Sequence, residues 1–452
     1  MTFLLTHIKM YKNLFKIAMS IALVATLLVG CKADDEITIT HFKFEGASRV
    51  FFEPGQTINV NYNKRRVSKI EIVSSPQGWT VEKHDNKYLA ITAPMFAGLT
   101  SEVIEVKGTS PEGNSNTAKL TVQVVKAESL SDKGTANCYI APQSGRYSFD
   151  ATHKGPSSES LTFADAKLLW SAPADAVYSV QTLNGVVSFS TSGVPGNAVI
   201  AVCDAKSNVL WSWHIWVADY DPVATAQTYA DGSTVMTRNL GAWADVADTD
   251  STSWASSGVY YQWGRKDPFV GGTQYMWTVD QYMYDAEGDW VGVKYAASSS
   301  SVGTINYAVA HPMTYIYGVK KSDYDWLYAK RDGSLWNSTT KTLYDPCPAG
   351  WIVAPSTTFD FSSEDVVGDY VRGWEVAVGG DAQSYYAAAG RRSFVDGALT
   401  NVDVTGYLPV GFNWTATTTE DDAEALEFSP TSIGLSSIYR ANACPVRCRK
   451  VE

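Results

Sequence analysis

Apolar and polar positions alternate with a period of two in short runs along the first part of the chain. Ile58, Val60 and Tyr62 alternate with Thr57, Asn59 and Asn61. Ile70 with Ile72, Leu89 with Ile91, and Leu120, Val122 and Val124 repeat the pattern. A period of two places one face of a strand in a core and the other in water. The turn formers Pro54-Gly55 and Pro76-Gln77-Gly78 separate the runs. Residues 37–126 therefore read as a β-sandwich with Phe44 and Trp79 in its core.

A second strand-rich span covers 127–222. Tyr147 alternates with Phe149 and Val187 with Phe189, while Ala198–Cys203 and Val209–Val217 flank the turn formers Asp204-Ala205-Lys206-Ser207-Asn208. In the second arm, Trp211, Trp213, Ile215 and Val217 share one face, and Ser212, His214, Trp216 and Ala218 share the other. An arm apolar on both faces belongs in the middle of a sheet or under a neighbouring unit, which makes His214 a buried, hydrogen-bonded histidine. The number and spacing of the strands suggest immunoglobulin-like sandwiches for both spans.

From 223 to 452 the pattern loosens. This span holds ten of the fifteen tryptophans and long loops rich in Gly, Ser and Asp. Helical periodicity is confined to Lys321–Tyr328, where Ser322-Asp323 form a candidate cap. The span reads as a loop-rich α+β domain. The rigid stretch Asp345-Pro346-Cys347-Pro348-Ala349-Gly350-Trp351 anchors it, because proline fixes φ on both sides of the cysteine.

The ends carry targeting information. Lys9, Lys12 and Lys16 precede an apolar run from Ile17 to Val29, the pattern of a secretory signal over residues 1–30, with Met1 or Met10 as its start. Leu28-Val29-Gly30-Cys31 resembles the lipobox of bacterial lipoproteins, which implies lipidation of Cys31 and a membrane anchored through the N-terminal lipid. The tether 31–36, with Asp34-Asp35-Glu36, is similar to the acidic export signal of Bacteroidetes-type surface lipoproteins, which implies display on the outer membrane. The formal charge of −11 argues against a nucleic-acid partner.

Five ordered motifs in the last span carry a further resemblance. They are Met236-Thr237-Arg238-Asn239-Leu240-Gly241-Ala242, the run Tyr260 to Phe269, Asp345 to Trp351, Ala388-Ala389-Gly390-Arg391, and Val446-Arg447-Cys448. Together they resemble the Fibrobacter succinogenes major paralogous domain, whose fold is thought to be similar to that of C-type lectins. The resemblance implies a C-type-lectin-like fold for 223–452. Asn137-Cys138-Tyr139-Ile140 with Trp211 to Trp216 looks like a β-domain that recurs in large Bacteroidetes surface lipoproteins.

The search for chemistry yields no strong motif. Only His214 and His311 lie beyond residue 153, too few for a multi-histidine metal centre. Asp245, Asp248 and Asp250 lack the glycine and closing glutamate of a calcium loop. Asp323, Asp325, Glu364 and Asp365 offer carboxylates for a glycosidase pair, but sequence spacing does not set their separation. No cofactor is implied. Of six cysteines, Cys347 and Cys448 make the best disulfide, since Cys444 and Cys448 in an extended strand would sit about 13 Å apart. Cys138, Cys203 and Cys444 are then buried thiols. With each sandwich closing its own core, loss of that bond should leave both untouched.

The stretch from Thr273 to Tyr295 holds Tyr275, Trp277, Tyr282, Tyr284 and Trp290, interrupted by Asp280, Asp285, Glu287 and Asp289. Aromatic faces stack on sugars, and the carboxylates argue for surface. The plain alternative is that these rings fill the core of a helix-poor domain. The expectation is a non-catalytic module for a glycan or other surface ligand. The alternatives are an extracellular polymer-acting enzyme and a component of a surface or fimbrial assembly.

Overall fold

The computed structural model describes residues 40–46, 48–84, 87–94, 101–142, 144–246, 253–272, 280–329, 331–402 and 408–451. The signal and tether residues with Cys31, and Tyr275 and Trp277, lie outside the described residues. The described chain is almost entirely strand and loop.

The first span forms two four-stranded sheets. One runs in the order His41–Phe44, Thr57–Arg65, Tyr88–Thr92, Thr80–His84, and the other in the order Arg49–Phe52, Ser115–Val124, Glu102–Thr109, Lys69–Ser74. Phe42, Phe52, Trp79, Leu89, Ile91, Ile104, Leu120 and Val122 fill the space between them. Trp79 meets Phe52 edge-on at 4.8 Å and donates its indole N–H to Glu102 at 2.7 Å. Phe44 is only half buried, and Ile72 is 39% exposed at the point where the register of its strand begins to shift toward Ser74.

The second span also pairs two sheets. The smaller has the order Val177–Leu183, Val186–Thr191, Gly145–Asp150, Glu128–Ser129. The larger runs Cys138–Ala141, Val209–Val217, Gly196–Cys203, Asp165–Ala172, and then continues into Met283–Tyr284 and Trp290–Val291. The sheet of the second span is therefore completed by a hairpin from the third. Val209–Val217 is central, and its two faces serve two cores. Trp211, Trp213 and Ile215 pack inside the sandwich with Phe149 and Phe189. Trp216 and Cys138 instead join Leu240, Trp263, Trp351, Cys347 and Cys448.

The third span is a set of small sheets wrapped around this shared core. Trp351–Val353 pairs with Cys448–Lys450, and Cys347 is bonded to Cys448 with Cα atoms 6.1 Å apart. The Asp345 carboxylate organises the loop. It accepts from Lys341 Nζ at 2.8 Å and from the backbone N–H of Cys347 and Val353 at 2.9 and 3.1 Å. The Asn137 side chain donates to the carbonyls of Leu343 and Asp345, and accepts from the Trp211 indole at 3.0 Å. The Pro-Cys-Pro loop is thus fixed to the second span as well as to the last strand.

Two expectations for this span need correction. The helix read over Lys321–Tyr328 does not form. A 3-10 turn, Lys320–Ser322, is followed by Asp323 and Tyr324 at φ of 48° and 58°, a left-handed pair that ends any right-handed helix. A helix that does form, Ile305–Ala310, lies where no helical periodicity is read from the sequence, and Thr304 caps it by accepting from the Tyr307 N–H at 3.1 Å. With so little helix, the span is β and loop rather than α+β.

Candidate functional site

Most motif residues of the third span are buried, with Gly350 exposed and Arg238, Ala349 and Arg391 partly so. The Arg447 guanidinium lies 3.8 Å from the Tyr386 ring centroid and donates to Asn239, Ser384 and the Tyr385 carbonyl. Lys266 is fully buried, with its ammonium bonded to Asp267, to the Ser212 carbonyl and to the Ser212 hydroxyl, and set 4.5 Å from the Trp211 ring centroid. Burial pulls its pKa down, while Asp267 pushes it up. Arg447 thus ties together parts of the third span, and Lys266 joins the third span to the second.

His214 sits in the same joint. Its Nε2 meets Asn197 Oδ1 at 2.9 Å, and its Nδ1 meets the Tyr261 hydroxyl at 2.8 Å and Cys138 Sγ at 3.4 Å. The Asn197 amide donates to the Gly241 carbonyl, which turns its oxygen toward the imidazole and sets the proton on Nε2. Cysteine, histidine and asparagine in this connectivity are a known arrangement for thiol catalysis. Here burial drives the thiol pKa up and holds the imidazole down at about 3, which opposes a thiolate–imidazolium pair. All three side chains are closed off from solvent. The cluster is a clamp between two spans, as the placement of His214 predicts.

Asp325, a glycosidase candidate, is also closed in. Its Oδ1 accepts from the Leu327 N–H, and burial pushes its pKa up to about 6. Asp323 is instead exposed and paired with Arg331 at 3.2 Å. Among the described residues no group of three or more His, Cys, Asp or Glu side chains could hold a metal, and no helix is long and apolar enough to cross a membrane.

Among the described residues the two most exposed aromatics, Trp290 and Tyr282, lie on or beside the hairpin of Met283–Tyr284 and Trp290–Val291, while Tyr439 is exposed elsewhere, against Tyr324 and Phe394. Met283 pairs with Val291, and Tyr284 with Trp290. Side chains alternate along a strand, so Met283 and Val291 share one face while Tyr284 and Trp290 share the other. The first face packs inward against Trp170, Val199 and Val270. On the second face Trp290 is 66% exposed, Tyr282 is 60% exposed and Tyr284 is half buried. A Cβ on Gly292 would lie 3.4 Å from the Trp290 ring, so the indole lies across the glycine rather than standing free.

The base of this hairpin is fixed by a buried cation. Arg392 donates to the Val270 and Gly397 carbonyls and to Asp280 at 2.7 Å. Burial alone would lower its pKa, but Asp280 and Tyr295 more than offset that. Tyr295, 46% exposed, donates its hydroxyl to Asp280 at 3.3 Å and so extends the aromatic surface. At its far end the hairpin is pinned by pairing of Tyr284 with Ser171.

The structure thus brings Tyr282, Tyr284 and Trp290 together, while Tyr275 and Trp277 fall outside the described residues. Both readings of the aromatics apply in part: Trp263, Trp326, Trp336, Trp351 and Trp414 are core, and Trp290 is surface. Sequence reasoning missed Tyr295, Arg392 and Gly292. Arg392 follows directly on a recognised motif, but nothing in the sequence links it to Asp280, 112 positions away.

No protein-family model matches this chain, and neither does any curated protein sequence. Alignments to solved structures include an endo-fucoidan hydrolase of glycoside hydrolase family 107, at 9% identity and a TM-score of 0.16, over 37% of this chain and 32% of that one. A titin immunoglobulin tandem aligns at 7% identity and a TM-score of 0.15, over 39% of this chain and 94% of that one. The Bacteroides ovatus mixed-linkage glucan utilization protein SGBP-B, solved with a heptasaccharide, aligns at 14% identity and a TM-score of 0.14, over 39% of this chain and 44% of that one. Likenesses at this level carry no argument about activity. The chain spans about a third of the length of the hydrolase.

Proposed function

We propose that this chain is a non-catalytic glycan-binding protein whose binding face is the Tyr282, Tyr284, Trp290 and Tyr295 surface. The observation that carries the reading is the exposure of Trp290 and Tyr282 on a hairpin held at both ends, by Arg392 and by the second-span sheet. Exposed rings of this size are costly in water unless they meet a partner, and a rigid platform loses little entropy when a sugar ring stacks on it. The remaining features fit display at a cell surface. The Cys31 lipobox and acidic tether supply an outer-membrane lipid anchor, two immunoglobulin-like sandwiches flank and support the site, and a C-type-lectin-like domain contributes the hairpin. A glycan array probed with the full chain tests the reading. Binding to a defined class of sugars supports it, whereas hydrolysis of the arrayed sugars points to the polymer-acting enzyme.

One observation favours a second reading, a component of a surface assembly. Strand Ser432–Ile438 is the outer strand of its sheet and contains no charged residue and no proline. Such an edge is open to pairing with another chain. Filaments or higher oligomers of the full chain, lost with Leu435→Lys, would support this reading instead.

A further inference from the structure

The hairpin that carries Trp290 reaches further than its own sheet. Its turn is fixed by Asp285 Oδ1, which accepts from the backbone N–H of Glu287 and Asp289 at 3.1 and 2.9 Å. That turn forms one wall of a cleft of about 490 Å³. The other walls come from Thr57–Arg65 of the first span and from Asp165–Ala172 and Val177–Leu183 of the second. The first span approaches the turn directly, since a Cβ on Gly46 would lie 3.7 Å from the Ala286 carbonyl oxygen. The two sandwiches meet close by, where Phe51 faces Tyr178 with ring centroids 6.2 Å apart and the Arg146 guanidinium lies 6.0 Å from the Phe51 ring.

We infer that this cleft is a second subsite for the polymer stacked on Trp290, and that it takes uncharged sugar residues in preference to sulfated or uronic-acid ones. The inference rests on the glycan reading of the aromatic face. Trp290 immediately follows the turn that walls the cleft, so the indole and the cleft are neighbours along one hairpin. The volume falls in the range of sites that bury small ligands. Asn59, Asn61 and Gln181 supply amide donors and acceptors matched to sugar hydroxyls. Val60, Leu168 and Val180 supply apolar surface for the C–H faces of the rings. The charge is one-sided: Glu45, Asp165, Asp285 and Glu287 line the cleft against Lys167 alone. Sugar hydroxyls donate to carboxylates without penalty, whereas sulfates and uronates bring like charge within a Debye length of all four.

The test uses the full chain and arrayed oligosaccharides of graded length, neutral glucans, mannans and galactans beside polygalacturonate and sulfated fucan. Affinity for a neutral series should rise by about tenfold or more from disaccharide to long oligomer as the second subsite fills. The double variant Asp165→Lys with Glu287→Lys, which reverses charge in the cleft wall, should gain binding to the anionic polymers. Trp290→Ala should lose the disaccharide as well. If the disaccharide binds through Trp290 but affinity does not grow with length and the charge reversal changes nothing, the cleft is not a subsite and the aromatic reading stands. Wild-type preference for anionic polymers overturns the selectivity. Absence of binding to any glycan overturns the cleft and the aromatic reading together.

Discussion

Replacing both Cys347 and Cys448 by alanine should loosen two of the three spans at once. The bond closes a loop of 101 positions. In the chain-entropy model that closure contributes about 4–5 kcal/mol, and native disulfides typically contribute about 2–5 kcal/mol on removal. Independent sandwiches would confine the loss to the third span. The structure argues otherwise, because Cys138 and Trp216 of the second span share a core with Cys347 and Cys448. Asn137 also bonds directly to the loop that carries Cys347. The first span has its own core and shares none of these residues. Amide hydrogen exchange read along the chain is the assay. Protection should fall by about 2–5 kcal/mol at Val199 and Ile200 of the second span and at Ile352 and Val353 of the third. It should stay unchanged at Ile104 and Val106. Loss restricted to the third span would refute coupling through the shared core. No loss in either would refute the loop-closure argument.

Other perturbations give equally definite outcomes. The folded state holds His214 at about 3, below its ordinary 6.5, so the neutral imidazole contributes stability above pH 6.5 that is lost as pH falls toward 3. Unfolding free energies from urea titrations should drop through that window with a slope of up to about 1.4 kcal/mol per pH unit, and His214→Leu should flatten it. Arg392→Met removes the brace beneath the hairpin and should destabilise by about 2–4 kcal/mol in denaturant unfolding, with weaker glycan binding although Trp290 is untouched. Cys31→Ser should leave the protein unlipidated, and partition into the aqueous rather than the detergent phase would show it.

The strands were legible where their pattern has one reading. Leu89, Ile91, Leu120 and Val122 alternate cleanly and are all fully buried. The double-sided strand with Trp213 and Trp216 also announced a second partner through its apolar outer face. The hairpin's place in the second-span sheet was not legible, because the Tyr284–Ser171 pairing spans more than a hundred positions and no local pattern encodes it. The false helix after Lys320 has a different cause. Asp323 and Tyr324 adopt left-handed backbone so that Trp326 and Leu327 can enter the core, a tertiary demand that overrides local spacing. Surface and core tryptophans looked alike in sequence. The carboxylates around Trp290 were the only local signal of exposure, and they pointed the right way.

The central claim is that Trp290 is part of a binding surface rather than of a core, and one substitution separates the two. Trp290→Ala in the full chain should cost on the order of 2 kcal/mol of affinity for the best neutral oligosaccharide, measured by calorimetry, with the melting temperature nearly unchanged. A large fall in melting temperature, matching the roughly 3–5 kcal/mol expected for a buried tryptophan, with affinity per folded molecule intact, would contradict the account.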